Sequence, residues 1–237
     1  MASCWRSCRD VQHIARCLPL RNQDEWRPYW SFLLLGGVMR VLVACEYSAT
    51  VRDAFRSRGH DAWSCDLLPC EADPTYHHQG DVLDLLQDGW DLMIAHPPCT
   101  YLASSGLHWN KRRPERAAQT KEALKFVLML ANAQIPRIAI ENPIGCLSTR
   151  WRKPDQTIQP HQFGHDASKS TCLWLTNLPK LVATKAIAPR MVNGKPRWAN
   201  QTDSGQNNLG PSDDRWKIRS ATFKGIADAM AEQWGTL

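Results

Sequence analysis

From Met39 onward the sequence repeats one device: a short apolar run that stops on polar or reactive side chains, followed by a stretch of helical period. Arg40 to Cys45 reads as a strand, Thr50 to Arg58 as a short helix ended by Gly59, and Asp61 to Asp66 as a second strand. Val82 to Leu86 reads as a helical turn and Asp91 to Ala95 as a third strand. Pro114 suits the first turn of a helix reaching about Ala133, with Leu124, Val127, Leu128 and Ala131 on one face, and Arg137 to Glu141 is a fourth strand. Strands alternating with helices require right-handed crossovers. The expected class is therefore α/β, a doubly wound and mostly parallel sheet with its chemistry at the carboxyl ends of the strands. The last stretch, Ile218 to Trp234, carries Ile226, Ala227, Met230 and Trp234 at helical spacing, so residues 215–237 are expected to pack back on the core as a helix.

The 237 residues, 43% of them apolar and 22% charged, suffice for a sizeable core and exclude a disordered chain. No apolar run approaches the roughly 18 residues of a membrane span. No charged start with an apolar stretch and a small-residue cleavage site opens the chain, so its nine cysteines are read as thiols of a cytoplasmic protein. The net charge of +6 is unevenly spread: residues 151–220 hold eleven Lys/Arg against five Asp/Glu, whereas residues 39–150 hold twelve against thirteen. A near-neutral core beside a basic segment fits a protein in which one part holds a cofactor and another meets a phosphate backbone, with a solvated basic face as the alternative. The core is placed at residues 39–178 and a small basic insertion at residues 179–214, with Lys185, Arg190, Lys195 and Arg197 as its phosphate contacts. Residues 1–38 break the pattern: they hold Cys4, Cys8, Cys17, Trp5, Trp26 and Trp30 and show neither period. They read as an added leader. The rival reading makes Cys4, Cys8, His13 and Cys17 zinc ligands, but their spacing misses the usual two-residue gap between the first cysteines, and no metal site is expected.

Each strand ends in chemistry. The first closes on Cys45-Glu46-Tyr47-Ser48, the second on Asp66 and Leu67, the third on His96-Pro97-Pro98-Cys99 and the fourth on Glu141-Asn142-Pro143, with Gly80-Asp81 between the second and third. Taken singly, Asp66 caps a turn, Cys99 is one more buried thiol, and Glu141 pairs with an arginine; their shared edge makes them a candidate site. In order and spacing, Trp90 to Cys99 followed by Ser104-Ser105-Gly106, and then Pro136 to Ser148 about forty residues later, resemble the DNA cytosine-5 methyltransferases. The first stretch is similar to that family's strand, proline-cysteine nucleophile loop and serine-glycine tail. The second is similar to its strand ending in Glu-Asn, and Gly80-Asp81-Val82 to its third cofactor motif. The likeness covers about residues 40–175 and, more weakly, 215–235.

The resemblance implies a Rossmann-like fold that binds S-adenosylmethionine and methylates carbon-5 of cytosine in DNA. That carbon is a poor nucleophile, so a thiolate first adds to carbon-6 and turns the ring into an enamine, while a carboxyl at ring nitrogen 3 stabilises the adduct. Cys99 and Glu141 take these roles, and Lys169 stands as supporting cation where the family has paired arginines. The base has to be extruded from the duplex. Cofactor contacts are implied for Cys45, Glu46, Tyr47, Ser48, Asp66, Leu67, Asp81, His96 and Pro97, and target contacts for Pro98, Ser104, Ser105 and Asn142. Glu46 is expected at the methionine amino group and Asp66 on the ribose hydroxyls. The first motif lacks the family's glycines, and the basic insertion is shorter than a full recognition domain. A short target site or a partner subunit is therefore expected, in a bacterial or phage-infected cytoplasm. Two other readings stand beside this one. An exocyclic-amino methyltransferase uses a polar-Pro-Pro-aromatic loop one residue away from His96-Pro97-Pro98-Cys99, although Glu141-Asn142 speaks against it. A catalytically inactive nucleic-acid-binding relative would account for the missing glycines.

Overall fold

A computed structural model describes residues 37–237. The proposed zinc ligands and nearly all of the leader lie outside the described residues. The strands are β1 (Arg40–Ala44), β2 (Asp61–Asp66), β3 (His77–Gln79), β4 (Leu92–Ala95), β5 (Arg137–Pro143), β6 (Gln156–Ile158), β7 (Thr171–Thr176), β8 (Arg190–Val192) and β9 (Lys195–Arg197). The helices, numbered in chain order, are α1 (Thr50–Arg56), α2 (Ser104–Leu107), α3 (Pro114–Ala131), α4 (Leu147–Arg150), α5 (Arg215–Ser220) and α6 (Lys224–Trp234). Seven strands form one mixed, mostly parallel sheet in the order β3-β2-β1-β4-β5-β7-β6, in which β7 runs antiparallel to both neighbours. The architecture is α/β, as expected. β8 and β9 form a separate hairpin turned by Asn193 and Gly194, both at positive φ, the geometry that a two-residue hairpin loop needs.

The central strands are apolar on both faces because both faces are covered. Val41, Val43, Leu92 and Ile94 point to one layer, where they meet Phe55 of α1 and Met230 and Trp234 of α6. Leu42, Met93, Ile138 and Ile140 point to the other and meet Val127 and Leu130 of α3. Alternation with period two thus sorts each strand into two cores. The chain leaves β1 toward β2 on one side and returns as β4 on the other, so the strand order reverses between β1 and β4. Loops leaving those two strands diverge there and open a crevice at the carboxyl edge.

Several boundaries differ from expectation for local reasons. β1 stops at Ala44 because Cys45 turns into the left-handed region at φ 59°. β4 begins one residue late because the Asp91 carboxylate is occupied by the Arg40 amide, 2.8 Å away. The fourth strand continues to Pro143 because β7 pairs with it over Glu141, Asn142 and Pro143. The helix expected over Ile218 to Trp234 is two helices, since Ala221 and Phe223 are extended, with ψ 136° and 133°. α6 nevertheless packs on the core through the expected Ile226, Ala227, Met230 and Trp234.

Candidate active site

On the β1 side of the crevice, the carboxylates are held by backbone. α1 opens at Ala49, which has no side chain able to cap it, so the first-turn amides need an acceptor from elsewhere. Glu46 supplies it: its two oxygens accept from the amides of Val51 at 2.7 Å and Arg52 at 3.1 Å, and Ser48 Oγ lies 3.4 Å from the first. The residue is only 4% exposed. Glu46 thus acts as a helix cap, a role the sequence reading did not assign to it. Burial pushes its carboxyl above the usual range, against the opposing pull of His96 and the two amides. Asp66 accepts from the Leu68 amide at 2.9 Å, the turn-capping role open to it from sequence, and Asp81 caps the following turn through the Leu83 amide at 3.0 Å. Each uses one oxygen, and Leu67 beside Asp66 is 73% exposed at the crevice edge. Tyr47 reaches away from the sheet to α5, with its hydroxyl 3.0 Å from Ser220 Oγ and its ring centroid 6.1 Å from that of Trp216. Burial and the charges of Asp66 and Asp81 push the Cys45 thiol far up, so it stays neutral.

On the β4 side the pattern changes. Register pairs Ala95 with Ile140, so the next residues, His96 and Glu141, sit side by side. His96 Nδ1 lies 2.8 Å from Glu141 Oε2, the two side chains being 10% and 13% exposed. Glu141 therefore pairs with a histidine, not an arginine. Burial alone would raise its carboxyl, but His96, the charge of Lys169 and the Thr171 hydroxyl together hold it below the usual range. His96 moves the other way: desolvation opposes its charge, and the bond to Glu141 with the charges of Glu141 and Glu46 raises it. The two shifts run in the sense that favours a charged pair, the carboxyl down and the imidazole up. His96, expected from sequence at the cofactor, is bonded through Nδ1 to Glu141.

The Cys99 loop is braced from both sides. Asn142, 1% exposed, donates through Nδ2 to the Pro97 carbonyl at 2.8 Å and so forms a strut beneath the loop. The Cys99 carbonyl accepts from the amides of Leu102 and Ala103, and Cys146 donates to the Leu102 carbonyl at 2.8 Å. That last approach is why position 145 is glycine: a Cβ there would overlap the Leu102 carbonyl oxygen. Cys99 itself is exposed, unlike the buried Cys65, Cys146 and Cys172. Desolvation within the cleft and the charge of Glu141 keep its thiol protonated, while Lys169 and Arg219 pull it down. Lys169 and Glu141 line one small cleft with Thr171, Thr222 and Phe223, and the lysine Nζ reaches the Ala221 carbonyl at 3.3 Å. The structure thus joins His96 to Glu141 and sets Lys169 on the same cleft, with Cys99 on the Pro97-Pro98 loop within range of the charges of Glu141 and Lys169. Ser104 and Ser105 stand exposed on α2 just beyond.

The expected phosphate contacts are arranged otherwise. Arg190 is bound to Asp203 at 2.6 Å and to the Gln201 carbonyl, and Arg197 donates to the carbonyls of Asp203 and Pro196. Lys185 joins Gln162 and Gly164 through its backbone, and Lys195 is exposed on the hairpin. A second basic cluster went unnoticed in the segment-wide charge count, because acidic residues elsewhere in residues 39–150 cancel it. Lys111, Arg112, Arg113 and Arg116 follow directly on the Cys99 loop. The guanidinium groups of Arg112 and Arg113 lie 5.8 and 5.1 Å from the ring of Trp109, which is 38% exposed, and Arg116 donates to the Thr100 carbonyl at 2.7 Å. Its signal was present in the sequence as a run of like charge beside a tryptophan.

Among the described residues, no three His, Cys, Asp or Glu side chains gather as metal ligands. His165 accepts from the Gly225 amide at the start of α6, and His161 stacks on Trp198 at 4.3 Å. No helix among them is long and apolar enough to cross a membrane. Comparison with protein-family models and with curated proteins returns no match.

Proposed function

We propose that the protein is an S-adenosylmethionine-dependent DNA methyltransferase that acts on carbon-5 of cytosine through a covalent adduct at Cys99. The observation that carries this reading is an exposed cysteine on a braced Pro-Pro loop, beside a topological switch point and within range of the charge of a buried glutamate. The order β3-β2-β1-β4-β5 is that of nucleotide-binding doubly wound sheets, which supports a Rossmann-like assignment. The residues on the β1 side fit the cofactor: Asp66 keeps an oxygen for ribose hydroxyls, exposed Leu67 offers apolar cover for a base, and Asp81 adds a second acceptor at the rim. When bound, the cofactor supplies an electrophilic methyl group.

The chain's own residues prepare the base to receive it. Cys99 adds to carbon-6 and loses its proton to water as it does so, since burial and Glu141 hold the free thiol up. Glu141 faces ring nitrogen 3 and stabilises the charge that addition places on the ring. Lys169 supplies positive charge on the same cleft, the role expected of it from sequence. Asn142 keeps the loop from drifting by holding Pro97. Lys111, Arg112 and Arg113, in the same basic run as Arg116, which bonds to that loop, offer phosphate contacts where the extruded base enters, and Lys185 together with Lys195 of the hairpin adds contacts farther along. The short insertion leaves sequence choice to a short target or to a partner subunit.

Incubation with DNA and isotopically labelled cofactor, followed by nucleoside mass spectrometry, tests the proposal. Label in 5-methylcytosine is the expected result. Label on the exocyclic nitrogen would move the assignment to the amino-methylating alternative, and DNA binding without label in either product would identify an inactive relative.

A further inference from the structure

Methyl transfer as described leaves the pairing of His96 unexplained. Its ring is nine-tenths buried, Nδ1 is bonded to Glu141, and Nε2 is buried with no partner among the described residues. The charged groups facing it come from three elements: Glu46 after β1, Glu141 on β5 and Lys169 before β7. Desolvation and Lys169 oppose charge on the ring, while the bond to Glu141 and the charges of Glu141 and Glu46 favour it and prevail. Ring nitrogen 3 of cytosine is an acceptor, and an ionised carboxylate is also only an acceptor. Glu141 as it stands therefore cannot donate to the target, and a proton has to reach it.

We infer that His96 is the proton store of the site, acting on the base through Glu141. This rests on the proposed methylation of cytosine. As the bond between Cys99 Sγ and carbon-6 forms, the thiol proton leaves to water, the pair of the 5,6 double bond moves between carbons 4 and 5, the pair between carbon 4 and nitrogen 3 moves onto nitrogen 3, and nitrogen 3 takes the proton that passes through Glu141 from His96. The carboxylate is made good by the Nδ1 proton, which leaves His96 a neutral imidazole. In methylation the pair between carbons 4 and 5 takes the methyl group and the nitrogen-3 pair returns to carbon 4; the carbon-5 proton then leaves to water and its pair remakes the 5,6 double bond, the carbon-6 to sulfur pair returns to Cys99, which takes a proton from water, and nitrogen 3 gives its proton back along the same path. His96 is a positioning residue in this scheme, since it touches Glu141 and not the ring.

Two measurements on the full chain decide the matter. The first follows the imidazole nitrogens by NMR in protein labelled with nitrogen-15 histidine, without DNA or cofactor. His96 should be doubly protonated at pH 7.5, where about nine in ten unperturbed histidines are neutral, and should become neutral in Glu141→Gln. The second compares the pH dependence of kcat in wild type and His96→Asn, whose amide keeps a donor where Nδ1–H stood but carries no transferable proton. Wild-type kcat should fall on the alkaline side as His96 deprotonates, whereas the variant should be slower by about 100-fold and lack that limb. A neutral His96 in the NMR experiment, or a His96→Asn enzyme with wild-type kcat and the same alkaline limb, overturns the inference. A charged pair in a protein that methylates no cytosine overturns delivery to nitrogen 3 together with the methylation reading, and leaves the His96–Glu141 pair standing.

Discussion

On the β1–β2 side of the sheet edge, Glu46, Asp66 and Asp81 each give an oxygen to a backbone amide, whereas on the β4–β5 side Glu141 is partnered by a side chain that itself titrates. The amide donors cannot release a proton near neutral pH, so the first set fixes the shape of the loops. The second set can change its charge when a ligand enters, because His96 can pass or accept a proton. The same kind of side chain thus caps backbone on one side and forms half of a titratable pair on the other. Glu46 and Glu141 also shift in opposite directions, the first up and the second down.

Exchanging each carboxylate for its amide separates the two halves. Glu141→Gln should lower kcat by about 10²–10³ while leaving cofactor affinity unchanged, as expected for the loss of a charge-stabilising contact with the base; equal losses in cofactor binding would erase the distinction. Replacing Arg112 and Arg113 by Ala should weaken DNA binding by about tenfold and flatten the salt slope by roughly two contacts, measured by titration at several salt concentrations. Arg190→Ala should do less, because Asp203 already holds that guanidinium. Glu46→Gln should leave methyl transfer nearly intact yet lower stability by about 1 kcal/mol, the usual cost of impairing a helix cap, which corresponds to about 2–4 °C in Tm.

A smaller effect lies in the pH dependence of melting. Glu141 stays ionised in the folded protein below its usual value of 4.5, so its stabilisation is complete above that value and is lost as pH falls through the folded value. Glu46 holds its proton longer when folded, so folding weakens as pH rises from 4.5 through its raised value. Melting curves between pH 3 and 7 should lose the acid-side decline in Glu141→Gln and the rising-pH decline in Glu46→Gln. Identical curves for the two variants would contradict the opposed environments.

Much of the frame could be read from sequence because strands buried on both faces are continuous apolar runs, and the edge clusters follow from where those runs stop. Val41 to Ala44 and Leu92 to Ala95 are of this kind. The partner of Glu141 was not legible: 45 residues separate it from His96, and only the register of Ala95 on Ile140 aligns them. Glu46 looked like a ligand because nothing in the sequence shows that α1 starts at a residue without a capping group. The basic run after the Cys99 loop was lost by summing charge over a long segment, which discards the local spacing that an anion would sense. The break between α5 and α6 left no mark in the apolar spacing, since the spacing belongs to α6 alone.

The central claim, that Cys99 forms a covalent bond to the target ring, is tested most directly with DNA carrying 5-fluorocytosine. Fluorine at carbon-5 cannot leave as a proton does, so the carbon-6 adduct should persist after methyl transfer. In the presence of cofactor the wild-type protein should give a protein–DNA species that survives denaturation and maps by mass spectrometry to Cys99. Cys99→Ser should give none, while Cys70→Ser and Cys146→Ser should still be trapped. A protein that methylates carbon-5 of ordinary cytosine yet leaves fluorinated DNA free, or is trapped through another cysteine, would contradict the account.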